Sequence, residues 1–123
     1  GRHRPDRANL HAAMALTVTA ARKHDRIALD SVYNDIADRE GFIAACALGR
    51  DFGFDGKTVI HPDQIAPAAR AFAPSPEELA RAQRLLAAFA LPQNRDKGAF
   101  PFEGGMAERL DAEVAQRLLD ENA

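Results

Sequence analysis

Residues 53–62, Gly-Phe-Asp-Gly-Lys-Thr-Val-Ile-His-Pro, constrain the fold more than any other part of the chain. Gly53 and Gly56 bracket a tight approach of the backbone, because glycine takes angles that other residues avoid. Residues 57–61 are short and β-branched at their centre (Thr58, Val59, Ile60), which predicts a strand buried in a sheet. Pro62 has no amide hydrogen for a ladder, so the strand ends there. The polar tip of Ile60, His61, Pro62 and Asp63 then leads into a helical pattern. Strand ends of this kind, on a barrel or an open sheet, are where α/β proteins hold ligands.

The flanking segments agree with an α/β order. Residues 6–24 read as a helix, with Leu10, Met14, Thr17 and Ala21 at helical spacing and Asp6 placed to cap the start. Residues 26–33 read as a first strand, in which Ile27, Leu29 and Val32 make the near-continuous apolar run of a parallel strand covered by helices. Residues 39–52 read as a second helix, with Phe42, Ala45, Cys46, Gly49 and Phe52 on its apolar stripe and Gly53 just past its end. A short helix follows over residues 63–72. Ser75, Pro76 and Glu78 form a capping box for another helix, running to about residue 90, with Leu79, Ala82, Leu86 and Phe89 on its apolar face. Pro92, Asn94, Asp96 and Gly98 mark a break, which divides residues 1–91 from a tail of residues 92–123. In the tail, residues 99–102 are extended, Gly104 and Gly105 allow a tight turn, and residues 110–121 read as a last helix with Leu110, Val114 and Leu118 aligned.

Composition narrows the function classes. The 16 basic and 18 acidic side chains give a net charge of −2, which offers nothing to nucleic acid or an anionic membrane. No apolar run approaches the ~20 residues of a membrane span, and the polar first ten residues do not read as a signal peptide. The one cysteine, Cys46, excludes an internal disulfide and suits the reducing cytoplasm.

Several residues are candidates for chemistry. Asp30 interrupts the first strand near its end, and a buried carboxylate is costly unless it is hydrogen-bonded; it either faces a ligand or caps the following loop. Asp30, Asp35 and Asp38 together resemble an oxygen-ligand set for a hard cation. Against this, Asp38 suits the N-cap of the second helix and Asp35 a turn, and these are the stronger readings. Cys46 lies among alanines on the buried stripe and reads as a small core residue. Lys57 reads as a salt-bridged or snorkelling lysine at the strand start rather than a phosphate contact. His61 offers acid–base chemistry, a ligand hydrogen bond, or a tether for its loop.

The run from Gly53 to Pro62, continued by Asp63-Gln64-Ile65 and by Phe72-Ala73-Pro74-Ser75-Pro76-Glu77-Glu78, resembles the C-terminal part of the citrate lyase β-subunit-like and malyl-CoA lyase family, within the HpcH/HpaI aldolase superfamily. Residues 28–33 with Asp35 and Asp38 upstream, and Gly104-Gly105-Met106 downstream, fall in the same order, so the similarity spans nearly the whole chain. The resemblance implies the last two βα units of a (β/α)8 TIM barrel, within residues 1–91, and a C-terminal helical lid, residues 92–123. A complete barrel takes about 250 residues, so the 123 residues are incomplete as a single chain.

That family makes or breaks a carbon–carbon bond between an acyl-CoA enolate and a 2-oxo acid, and some members hydrolyse the thioester. The resemblance implies magnesium as cofactor, with its ligands on strands outside this chain and none in it. It implies Asp30, Ile60, His61 and Pro62 as substrate-binding residues at the barrel mouth. It implies a cytoplasmic homo-oligomer, of the trimer type, in which the lid reaches a neighbour's site and carries the acid–base carboxylate. At the matching stretch Ala107 stands for isoleucine and Glu108 for aspartate, so Glu108 is the candidate catalytic group, set against a plain solvated residue ahead of the last helix. Taken alone, the chain is expected to be inactive. The competing expectation is a non-catalytic association module pairing through strand edges and the helix that carries Leu79 and Phe89.

Overall fold

The computed structural model describes Arg4 and residues 6–123. They form a mixed α/β chain of two units, Gly1–Ala73 and Pro74–Ala123.

The first unit is built on one parallel strand pair. A 3-10 turn at Ala8–Leu10 leads into α1 (His11–Lys23), and β1 (Leu29–Asp30) follows. Helix α2 (Arg39–Asp51) crosses over to β2 (Gly56–Lys57), and β1 and β2 pair in parallel with Leu29 opposite Gly56 and Asp30 opposite Lys57. A second 3-10 turn, Pro62–Gln64, opens α3 (Ile65–Phe72). Local signals explain the boundaries. Asp6 accepts a hydrogen bond from the amide of Ala8 at the first turn, and Asp38 caps α2 through the amide of Gly41. Gly53 closes α2 at φ 90°, a left-handed angle that favours glycine. Met14, Ala28 and Phe54 form one buried cluster, and Phe42, Cys46 and Ala68 another.

The strands are far shorter than residues 26–33 and 57–61. A ladder exists only where a partner strand runs alongside, and β1 and β2 have only each other among the described residues. Flanking hydrogen bonds, from the Asp55 amide to the Ala28 carbonyl and from the Thr58 amide to the Asp30 carbonyl, extend the pairing without a regular ladder. The expected cover over the first strand is also absent among the described residues: Ile27 is 77% exposed and Leu29 60%.

The second unit starts with α4 (Pro76–Ala90), whose N-terminus carries the expected capping box between Ser75 and Glu78. An antiparallel hairpin follows, β3 (Ala99–Phe102) and β4 (Gly105–Glu108), and then α5 (Arg109–Asp120). Ala82, Leu85, Phe100, Ala107 and Ala115 make its core. Strand β4 is not visible in the residue pattern; pairing with β3 imposes it, through a turn with Gly104 at φ 83°. The aligned Leu110 and Val114 lie exposed, while Ala115 is the buried residue of α5.

Candidate functional site

Charged and polar groups of the first unit gather at the C-terminal ends of β1 and β2. At their centre is a buried ionic node. Asp30, 3% exposed, meets the Arg7 guanidinium two-pronged, at 2.7 Å and 3.0 Å, and the Lys57 ammonium at 2.9 Å. The strand register puts Asp30 beside Lys57, so the pairing follows from the sheet itself. Burial pushes the Asp30 carboxyl up, but the hydrogen bonds from Arg7 and Lys57 outweigh it and hold the group below its ordinary value. The amide of Ser31 adds a further bond to Oδ1. Lys57 is therefore the salt-bridged lysine expected at the strand start, and it also donates to the Ser31 carbonyl.

Two residues that the sequence pattern does not single out complete the node. Arg7 sits in the left-handed region at φ 51°, and its guanidinium also reaches the Ala45 carbonyl on α2. Gly49 gives the carboxylate its room: a Cβ there would stand 2.8 Å from Asp30 Oδ2. A cation for Asp30 was to be expected once it was buried. Its identity as Arg7, 23 residues upstream, has no local signal.

A cleft of about 460 Å³ opens beside the node, lined among others by Arg7, Ser31, Tyr33, Asn34, Asp38 and Lys57. The Tyr33 hydroxyl donates to Asp38 at 2.6 Å, which raises the phenol and lowers the carboxyl from their ordinary values. Asp30 itself lies behind this lining, closed off by its two cations. Ile60, His61 and Pro62 are not among the cleft-lining residues. His61 caps the second 3-10 turn by accepting the Asp63 amide at Nδ1, 3.2 Å away, and its ring is 38% exposed. Cys46 is fully buried, and burial pushes its thiol up, away from nucleophilic use. In the second unit, Glu108 stands exposed at the N-cap of α5, where its amide donates to the Asp111 carboxylate at 2.8 Å.

The aspartates do not fit a magnesium ion. Magnesium takes oxygen ligands in near-octahedral geometry. Both oxygens of Asp30 are held by cations. Asp38 is engaged by Tyr33 and the Gly41 amide, and Asp35 accepts the Asp38 amide as a turn residue. Among the described residues, no three His, Cys, Asp or Glu groups gather as a metal site.

This arrangement, a parallel βαβ unit with polar loops at its strand ends, matches known proteins. The profile of the HpcH/HpaI aldolase/citrate lyase family covers residues 1–62, and the chain belongs to that family. It is 42% identical over 118 residues to a (3S)-malyl-CoA thioesterase of Cereibacter sphaeroides, covering 96% of this chain and 41% of that protein. It is 43% identical over 92 residues to the mitochondrial citramalyl-CoA lyase of Homo sapiens, covering 75% and 27%. Among solved structures, CitE of Mycobacterium tuberculosis, in complex with magnesium, acetoacetate and coenzyme A, superposes at a TM-score of 0.75 with 35% identity, covering 98% of this chain and 45% of that one. A citrate lyase of Burkholderia xenovorans shares the fold at a TM-score of 0.77 and 23% identity, covering 94% and 36%. The chain thus spans less than half the length of these relatives. No helix among the described residues is long and apolar enough to cross a membrane.

Proposed function

We propose that these residues are the C-terminal part of a magnesium-dependent acyl-CoA lyase that cleaves or forms a carbon–carbon bond between an acyl-CoA and a 2-oxo acid. The observation that carries the reading is the likeness, over 98% of the chain, to a protein solved with magnesium, acetoacetate and coenzyme A. On this reading β1, α2, β2 and the helices that follow are the last two βα units of a TIM barrel, and residues 92–123 are its lid. The magnesium ligands belong to residues outside these 123. Asp30 borders the acyl-CoA site by holding Arg7 and Lys57 at the cleft wall, and Ile60, His61 and Pro62, outside the cleft lining, border the mouth through which acyl-CoA enters. The enzyme works as a cytoplasmic homo-oligomer, with Glu108 of one lid serving a neighbour's site.

In the cleavage direction, a 3-hydroxyacyl-CoA such as malyl-CoA loses its hydroxyl proton, the carbon–carbon bond breaks, glyoxylate leaves, and the acetyl-CoA enolate takes up a proton at carbon. Glu108 is the proposed donor of that last proton. Thioester hydrolysis is the second reading, favoured by the 42% identity to a thioesterase. A non-catalytic association module is the third, favoured by the exposed Ile27 and Leu29.

The test is the whole protein with malyl-CoA and magnesium. Glyoxylate and acetyl-CoA in equal amounts uphold the lyase; malate and free coenzyme A thiol mean the thioesterase; no turnover from a folded oligomer leaves the association module. The isolated 123-residue chain is expected to give no turnover. Glu108→Gln is expected to lower kcat by roughly 10²–10⁴, the usual share of general acid–base catalysis, with KM little changed. An unchanged kcat removes Glu108 from the chemistry.

A further inference from the structure

The two loops at the strand ends are joined by one side chain. Gln64 closes the second 3-10 turn and is 3% exposed. Its Oε1 accepts the Ile60 amide at 2.9 Å, and its Nε2 donates to the Tyr33 carbonyl at 3.0 Å, across 31 residues of sequence. The primary amide is suited to this position because it offers an acceptor at one end and a donor at the other. Each end meets the opposite kind of backbone group, one on each loop. Neither group sits in a ladder: β2 ends at Lys57 and β1 at Asp30. Tyr33 is thereby fixed twice, at its carbonyl by Gln64 and at its hydroxyl by Asp38.

We propose that Gln64 is a positioning residue, which sets the spacing of the loops after β1 and β2 and so the shape of the cleft wall that Tyr33 forms for acyl-CoA. The role in binding rests on the function proposed above; the joining of the loops does not. Two substitutions separate hydrogen bonding from packing. Methionine fills similar space and makes neither bond. Glutamate accepts the Ile60 amide in both protonation states, but it donates to the Tyr33 carbonyl only when protonated. When ionised, it sets an oxygen against that carbonyl.

The experiment compares Gln64→Met and Gln64→Glu in the whole protein, by amide hydrogen exchange at Ile60 and by steady-state kinetics over pH. At neutral pH Gln64→Met is expected to exchange the Ile60 amide faster, while Gln64→Glu, which still accepts that amide, stays near the parent. Both are expected to raise KM for acyl-CoA about tenfold, the scale of one lost hydrogen bond, with kcat within a few-fold of the parent. As pH falls and the introduced carboxylate protonates, Gln64→Glu should recover the parent KM while Gln64→Met does not. That recovery is what a purely space-filling role would not produce. The proposal is overturned if KM stays at the parent value in both variants, or if Gln64→Glu follows Gln64→Met at every pH. Should Gln64→Met fail to fold, the pH recovery of Gln64→Glu alone decides. If the unsubstituted protein neither binds nor turns over acyl-CoA, the functional reading fails and the binding role with it. The exchange rate at Ile60 in Gln64→Met then still tells whether Gln64 holds the second loop.

Discussion

The two units hold their shapes by different means. The first adds a buried ionic node to its two apolar clusters: Asp30 lies between Arg7 and Lys57, and the Lys57 side chain is only 1% exposed. The second places apolar groups inside, with Leu85, Phe100 and three alanines at its centre, and keeps its ion pairs on the surface, where Arg81 and Arg84 meet Glu103. A buried ion pair is no better for stability than well-packed apolar residues, because desolvation offsets the attraction. What the node does in the first unit is to fix Arg7 and Lys57 in the lining of the cleft. An apolar core suffices where the unit has only to hold a hairpin against two helices.

The comparison breaks most visibly at Asp30. Removing it leaves two cations without their shared carboxylate in the cleft wall. Breaking a buried pair in this way costs about 3–5 kcal/mol, a large part of a small domain's stability. Asp30→Ala is thus expected to unfold the first unit or shift its denaturation midpoint strongly. The chain has one tyrosine, Tyr33, and no tryptophan, so tyrosine fluorescence reports the first unit alone. A midpoint in that signal unmoved by Asp30→Ala would mean that the node contributes nothing.

Acid tests the same contrast more gently. Asp30 in the first unit has its carboxyl held below the ordinary value by Arg7 and Lys57 against the opposing effect of burial, and Asp55 likewise by Arg22 and the Ala28 amide. A carboxyl whose folded pKa is depressed lends stability that is complete above its unfolded value, about 3.9, and is lost as pH falls through the folded value. The second unit's lowered carboxyl, Glu103, is at the surface and screened by solvent. Tyrosine fluorescence should therefore show the first unit losing stability below about pH 4. Equal loss of helical circular dichroism and tyrosine signal, with the same midpoint, would remove the distinction between the units.

What could be read from the residues divides along similar lines. Caps were legible because their signals are local: Ser75 with Glu78 around α4, Asp38 ahead of α2, and Gly53 behind it all stand where the pattern put them. The burial of Cys46 and the pairing of Lys57 were legible too, since an apolar stripe and a strand-start lysine constrain their surroundings. Strand length was not, because a ladder is a property of two chains of backbone, and past the Thr58 amide, which bonds the Asp30 carbonyl, no strand among the described residues pairs the β-prone Val59 and Ile60. Strand β4 was hidden for the converse reason, as Gly105, Met106 and Ala107 are poor strand formers held by β3. In the site, Asp30 drew attention by its position, whereas Arg7 and Gln64 act across 23 and 31 residues and leave no periodic trace.

The smallest expected effect sharpens the contrast from the other side. Glu103 sits at the tip of the β3–β4 hairpin with φ 47°, a left-handed angle that costs a residue with a Cβ and costs glycine almost nothing. Its ion pairs with Arg81 and Arg84 are exposed, and pairs of that kind contribute little. Two substitutions remove the same ion pairs and differ only in the strain. Glu103→Ala loses the pairs and keeps the angle. Glu103→Gly loses the pairs and relieves it. If the surface charges of the second unit are marginal, the glycine variant should melt close to the parent and the alanine variant below it, as read by circular dichroism. If instead both variants melt equally far below the parent, the pairs of Arg81 and Arg84 hold the hairpin in earnest, and the second unit relies on charge as the first one does.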